Sequence, residues 1–151
     1  MKKVIYLAAA AVFGLSACHC SKKAASAQTA TLKDTYWKLI ELNGGPVTGA
    51  PDSKEAYVIL HTKDNRASGN GGCNGFGGTY ELNPNGFNIR FSAFIRTQMA
   101  CPGLDIENRF LGVFEKADSY YVINDTLQLN RARMAPLAKF VAVKGKAETI
   151  Q

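Results

Sequence analysis

From Tyr36 onward, apolar and polar side chains alternate in short runs separated by turn-forming residues. A half-buried strand shows this period of two, because successive side chains point to opposite faces. Tyr36–Leu42 predicts a first strand that stops at Asn43-Gly44-Gly45-Pro46, followed by a loop to about Lys54. A second strand is expected over residues 56–62, with its turn at Lys63-Asp64-Asn65, and a short third over 66–69. A further strand beginning near Gly77 closes with Tyr80-Glu81-Leu82, and Asn83-Pro84-Asn85-Gly86 is a strong turn signal. Residues 87–91 alternate and place Phe87, Ile89 and Phe91 on one face; a short strand around 93–97 follows. Near the end, strands are expected over 120–123, 126–129 and 134–143, with a turn at Asn124-Asp125.

Between residues 105 and about 118 the period changes. Ile106, Phe110, Val113, Phe114 and Ala117 recur at helical spacing and form one apolar stripe. Asp105, after Pro102-Gly103, suits the N-cap. Eight or nine short strands with one helix predict an α+β, mostly β domain. The expected form is a small cracked antiparallel barrel or strongly curved sheet with one packed α-helix. The stripe is first a packing face; beside a membrane tether, Phe110, Val113 and Phe114 are also a candidate apolar binding surface for a lipid or hydrophobic peptide.

The N-terminus follows different rules. Lys2 and Lys3 precede an apolar run over residues 4–15, the layout of a secretory signal and too short for a comfortable bilayer span. The run ends in Leu15-Ser16-Ala17-Cys18, which resembles the lipobox of bacterial lipoproteins. The alternative is an ordinary signal that ends near a cysteine. The lipobox reading makes Cys18 the acylated first residue of the mature chain, attached to a membrane by more than one acyl chain. It divides the chain into a signal (1–17), a tether (18–33), a domain (34–143) and a polar tail (144–151). The tether is rich in Ser, Ala, Thr and Lys, too poor in large apolar groups to offset its ordering entropy. His19 is not acidic, which resembles an outer-membrane address in Gram-negative bacteria.

Cleavage leaves 134 residues, enough for one domain with a real core, and removes two lysines, so the net charge falls from +6 to +4. Scattered basic residues outside the cytoplasm do not point to nucleic acid; they suit a solvated surface or attraction to anionic headgroups. Cys73 and Cys101 lie in the folded part of an exported chain, where disulfides persist. Paired, they close a loop of about 29 residues, worth roughly 3–4 kcal/mol in the chain-entropy model; the alternative is two free buried thiols. Cys18-His19-Cys20 offers too few ligands to predict a metal site. No cofactor is expected.

Four segments resemble the META/HslJ domain family. They are Trp37-Lys38-Leu39 leading to Asn43-Gly44, the run Ser68-Gly69 through Gly72-Cys73-Asn74-Gly75-Phe76-Gly77-Gly78-Thr79-Tyr80, Thr97-Gln98-Met99-Ala100-Cys101, and Glu107 to Phe114 followed by Tyr121-Val122-Ile123 and Leu127-Gln128-Leu129. The resemblance covers about residues 31–142; Gly75 departs from it, standing where the family often has a larger polar residue. It implies a cracked barrel with one helix, and envelope or stress-related roles without a defined reaction. It also implies a likeness in fold to lipid-binding pilotin lipoproteins, an analogy only, because fold does not fix function.

The six glycines between residues 69 and 78 allow tight turns. No Gly-Lys-Ser/Thr follows, so a phosphate cradle is not expected. The loop is read as presenting Cys73 to Cys101. Asn74 and Thr97 then supply hydrogen bonds, while Trp37, Phe76, Tyr80 and Met99 fill the barrel. A thiol enzyme would need Cys73 free, or a partner for His61. The sequence is therefore read as non-enzymatic, with three partners in view: a membrane through the lipid on Cys18, an envelope protein, or a lipid ligand.

Overall fold

The computed structural model describes residues 29–49, 51 and 53–147. The signal, Cys18, His19 and Cys20 lie outside the described residues. The strands are β1 (Tyr36–Leu42), β2 (Gly45–Pro46), β3 (Tyr57–Leu60), β4 (Arg66–Asn70), β5 (Gly75–Leu82), β6 (Ile89–Phe91), β7 (Ile95–Arg96), β8 (Ser119–Ile123), β9 (Thr126–Asn130) and β10 (Ala138–Val143); helix α1 (Leu104–Lys116) separates β7 from β8.

The main path runs β6-β5-β4-β3-β1-β10-β9-β8, antiparallel throughout, with β2 beside β1 and β7 beside β5. The sheet curls until its two ends nearly meet. Tyr120 donates its N–H to the Phe87 carbonyl at 2.8 Å, and Ile89 donates to that of Asp118 at 3.1 Å. The result is a nearly closed barrel with a single helix, the expected α+β, mostly β class.

Ten strands form among the described residues, rather than eight or nine. The addition is β2, made possible by Asn43 and Gly44. Both hold positive φ (52° and 82°), as a tight two-residue hairpin turn requires. β5 begins at Gly75 rather than Gly77, because glycines can still pair along a ladder, here opposite Asn70 and Ser68.

Three other expectations change. Gly103, in the left-handed conformation (φ 94°), caps α1. Asp105 instead lies in the first turn, 3.2 Å from Arg109, where a negative charge also favours the helix dipole. Phe87 precedes β6 and is 60% exposed, since it sits at the seam where the curled sheet meets itself. Met134 is an exposed loop residue, and β10 starts only at Ala138.

The barrel is filled by its own side chains. Phe110, Val113 and Phe114, expected as a candidate binding surface, are 0%, 2% and 1% exposed and form the core with Trp37, Leu39, Phe76 and Phe140. The Phe114 ring lies 4.8 Å from that of Phe94, 5.0 Å from Phe91 and 5.1 Å from Phe110. An amphipathic stripe is a packing face whenever a sheet wraps around it.

Packing extends upstream of Asp34. Ala30 donates its N–H to the Asn124 carbonyl at 3.0 Å, the Trp37 indole donates to the Leu32 carbonyl at 2.9 Å, and Ala30 and Leu32 pack on the core. At the other end, Lys146 reaches back to Glu55 at 2.7 Å and lies 4.5 Å from the centre of the Tyr36 ring.

Candidate functional site

The glycine-rich loop, the segment before α1 and the first turn of α1 converge on a polar clamp. Its centre is Glu107, a carboxylate with 0% exposure. It accepts hydrogen bonds from the backbone N–H of Asn74 at 2.7 Å and of Cys73 at 3.3 Å, and from the Asn74 amide at 2.9 Å. Arg96 supplies the opposite charge at 3.1 Å and also donates to Asn108 at 2.7 Å. A buried charge is tolerated only when paired and hydrogen-bonded, and this one has both kinds of partner.

Gly71 makes room for it. A Cβ there would stand 2.4 Å from the Glu107 Cγ and 2.8 Å from Oε2. Gly72 takes a positive φ of 110° and turns the chain so that the next two N–H groups face the carboxylate.

Asn74 is the second hub. Its Oδ1 accepts from the Met99 N–H at 2.7 Å and from the Thr97 hydroxyl at 2.8 Å. Its Nδ2 donates to the Met99 carbonyl at 3.2 Å. The side-chain amide thus pairs with a backbone unit as a neighbouring strand would. The disulfide between Cys73 and Cys101, with Cα atoms 5.9 Å apart, ties the same two segments covalently.

The motif residues therefore fall into two groups. Gly72, Cys73, Asn74, Thr97 and Cys101 meet in the clamp through the contacts just given. Trp37, Phe76 and Tyr80 are buried in the barrel, and the Tyr80 hydroxyl donates to the His61 carbonyl at 3.0 Å. A Cβ on Gly78 would lie 2.9 Å from the Phe94 ring. Met99, expected as filling, is 50% exposed, because its backbone rather than its side chain faces Asn74. Sequence reasoning missed Glu107 and Arg96.

The clamp is built to hold segments together. Changing both Cys73 and Cys101 to serine is expected to lower stability by about 3 kcal/mol, by restoring loop freedom to the unfolded chain. Urea unfolding of oxidised wild type and variant measures it; equal midpoints would refute a stabilising role.

Beside the clamp lies a cleft of about 290 Å³, at the small end for ligand sites. Gly71, Gly72, Ile106, Leu39 and Ala56 line it, and Lys38, Lys54 and Glu55 bring charge to its walls. Partial burial pushes the Glu55 carboxyl up, but hydrogen bonds from Lys146, Lys38 and Tyr36 outweigh it and hold the pKa at about 2. A depressed folded pKa means stability that is fully present above the ordinary value near 4.5 and lost as pH falls through about 2. Glu55→Gln is therefore expected to cost under about 1 kcal/mol at neutral pH, a partly exposed cluster being screened, and to lose its difference from wild type towards pH 2. Urea midpoints against pH test this; parallel curves would contradict it.

His61 and Ser68 lie on the outer wall, with Nε2 and Oγ 2.7 Å apart. Neither lines the cleft. Asp34, whose pKa is lowered chiefly by hydrogen bonding with Thr62 and less by His61, accepts the Thr62 N–H on its Oδ1 at 2.9 Å. Among the described residues, no group of three or more His, Cys, Asp or Glu is placed to hold a metal.

A nearly closed antiparallel barrel, filled by one helix and closed at one end by a disulfide-linked glycine loop, defines the class. The META domain model matches residues 30–144, and the chain belongs to the META domain family. A solved structure, the NMR structure of a protein from Burkholderia xenovorans, superposes with a TM-score of 0.60 at 27% identity, covering 75% of this chain and 84% of that one. No curated protein matches the chain.

Proposed function

We propose that this chain is a lipid-anchored protein of the bacterial cell envelope, held at the outer membrane of a Gram-negative cell, whose META domain serves without catalysis as a binding or structural module with envelope or stress-related duties. The observation that carries the reading is Leu15-Ser16-Ala17-Cys18 at the end of a charged and apolar leader. The fold supports the non-catalytic part. The Cys73 thiol is taken up in the disulfide, and the buried carboxylate is fully engaged in holding loops. A packed interior favours action through the outer surface. It weighs against the pilotin-like alternative, in which a lipid or hydrophobic peptide lies between helix and sheet.

Palmitate labelling of cells expressing the full chain tests the anchor. Wild type is expected to take up label and sediment with membranes, while Cys18→Ala does neither. An unlabelled wild-type protein would overturn the reading.

A further inference from the structure

Phe87, Tyr121 and Ile123 are 60%, 43% and 56% exposed. They form one patch. The rings of Phe87 and Tyr121 are 5.3 Å apart, and Ile123 follows Tyr121 by two residues on the same outward face of β8. Single exposed apolar residues are ordinary, but a cluster on the outer face of the seam invites a partner.

The path of the chain indicates which partner. Ala30 is hydrogen-bonded to Asn124, the residue after Ile123. The N-terminal segment therefore leaves the domain at the β8–β9 turn, next to this patch. Cys18 lies only twelve positions before Ala30. Even fully extended, that stretch reaches at most roughly 40 Å. This is the end of the barrel from which the chain runs to the anchor. Such tethering raises the local concentration of a surface enough for a weak patch to engage it. Tyrosine suits the headgroup layer, with an apolar ring and a polar tip, and Phe and Ile suit the layer beneath.

We infer that Phe87, Tyr121 and Ile123 dock the domain onto the phospholipid surface into which the Cys18 anchor inserts. The inference rests on the anchor reading and adds an orientation to it: β8 towards the membrane, the glycine loop and its clamp free to meet other molecules.

Hydroxyl-radical footprinting of the full mature chain tests this. The chain is read on vesicles of phosphatidylethanolamine with a minority of phosphatidylglycerol, against Cys18→Ala in vesicle-free solution. Oxidation of Phe87, Tyr121 and Ile123 is expected to fall several-fold on vesicles. Ile95 and Met134, exposed elsewhere, should keep their rates and serve as internal controls. Intact mass of the same sample reads the lipid on Cys18. No lipid overturns the anchor and the docking together. Lipid present with an unprotected patch, or with protection shared equally by Ile95 and Met134, overturns the docking alone. Protection that grows with protein concentration without vesicles assigns the patch to a second copy of the chain and also overturns it.

Discussion

Glu107→Ala is expected to lower the stability of the domain by about 4 kcal/mol, the range seen when one partner of a buried ion pair is removed. The loss has identifiable parts. The N–H groups of Cys73 and Asn74 lose their acceptor, the Asn74 amide loses one of its contacts, and Arg96 loses its counter-charge. Each buried donor left without a partner carries a desolvation cost of about 1–3 kcal/mol, so the parts suffice for the whole. Glu107→Gln should cost less, because one carbonyl oxygen remains. Gly71 supplies a coupled test. Gly71→Ala alone should cost about 1–3 kcal/mol by overpacking against the carboxylate. In the Glu107→Ala background the obstructing atoms are gone, and the same change should cost less. Urea unfolding of the four proteins measures the coupling; additive losses would mean that loop and carboxylate are not in contact.

Glu107 was legible in principle. It falls three residues before Phe110 and seven before Phe114, on the stripe rather than on the polar face. A charge on an apolar stripe demands a buried partner, and a run of glycines is a place where backbone N–H groups come close. What hid it was distance along the chain: Asn74 lies 33 residues earlier. Period and turn signals are local, which explains why β1 and the Asn124-Asp125 turn were readable and the clamp was not. The cysteines were the exception, because two thiols in a domain read as exported suggest their own pairing. Closure of the sheet was equally non-local. Phe87 alternates with Ile89 and Phe91 as one face should, yet the seam takes its backbone and turns the ring outward. For Phe110, Val113 and Phe114 the pattern was right, and the stripe packs into the core. An apolar helix face in a chain of this size has a sheet to cover it.

That last point makes Phe114→Asp the other large effect. The variant is expected to lose more than about 5 kcal/mol, comparable with the whole stability of a domain of this size, and so to fail to fold. Removing a buried aromatic ring alone costs about 3–5 kcal/mol, and an unpaired carboxylate in the space left behind adds its own desolvation. The site can offer it no relief: Phe114 is 1% exposed, and the rings of Phe76, Phe91, Phe94 and Phe110 surround it. Ile95→Asp, at a residue 80% exposed, should change stability by less than about 0.5 kcal/mol and controls for the added charge. Near-ultraviolet circular dichroism and thermal melting measure both. The alternative outcome is equally informative. If Phe114→Asp stays folded while the wild type alone takes up an apolar probe, the space between helix and sheet opens to ligands, and the lipid-carrying reading displaces the filled barrel. If the variant unfolds and the wild type takes up no apolar probe, binding by this domain falls to its outer surface, where the β8 patch and the charged cleft beside the clamp are the places to look.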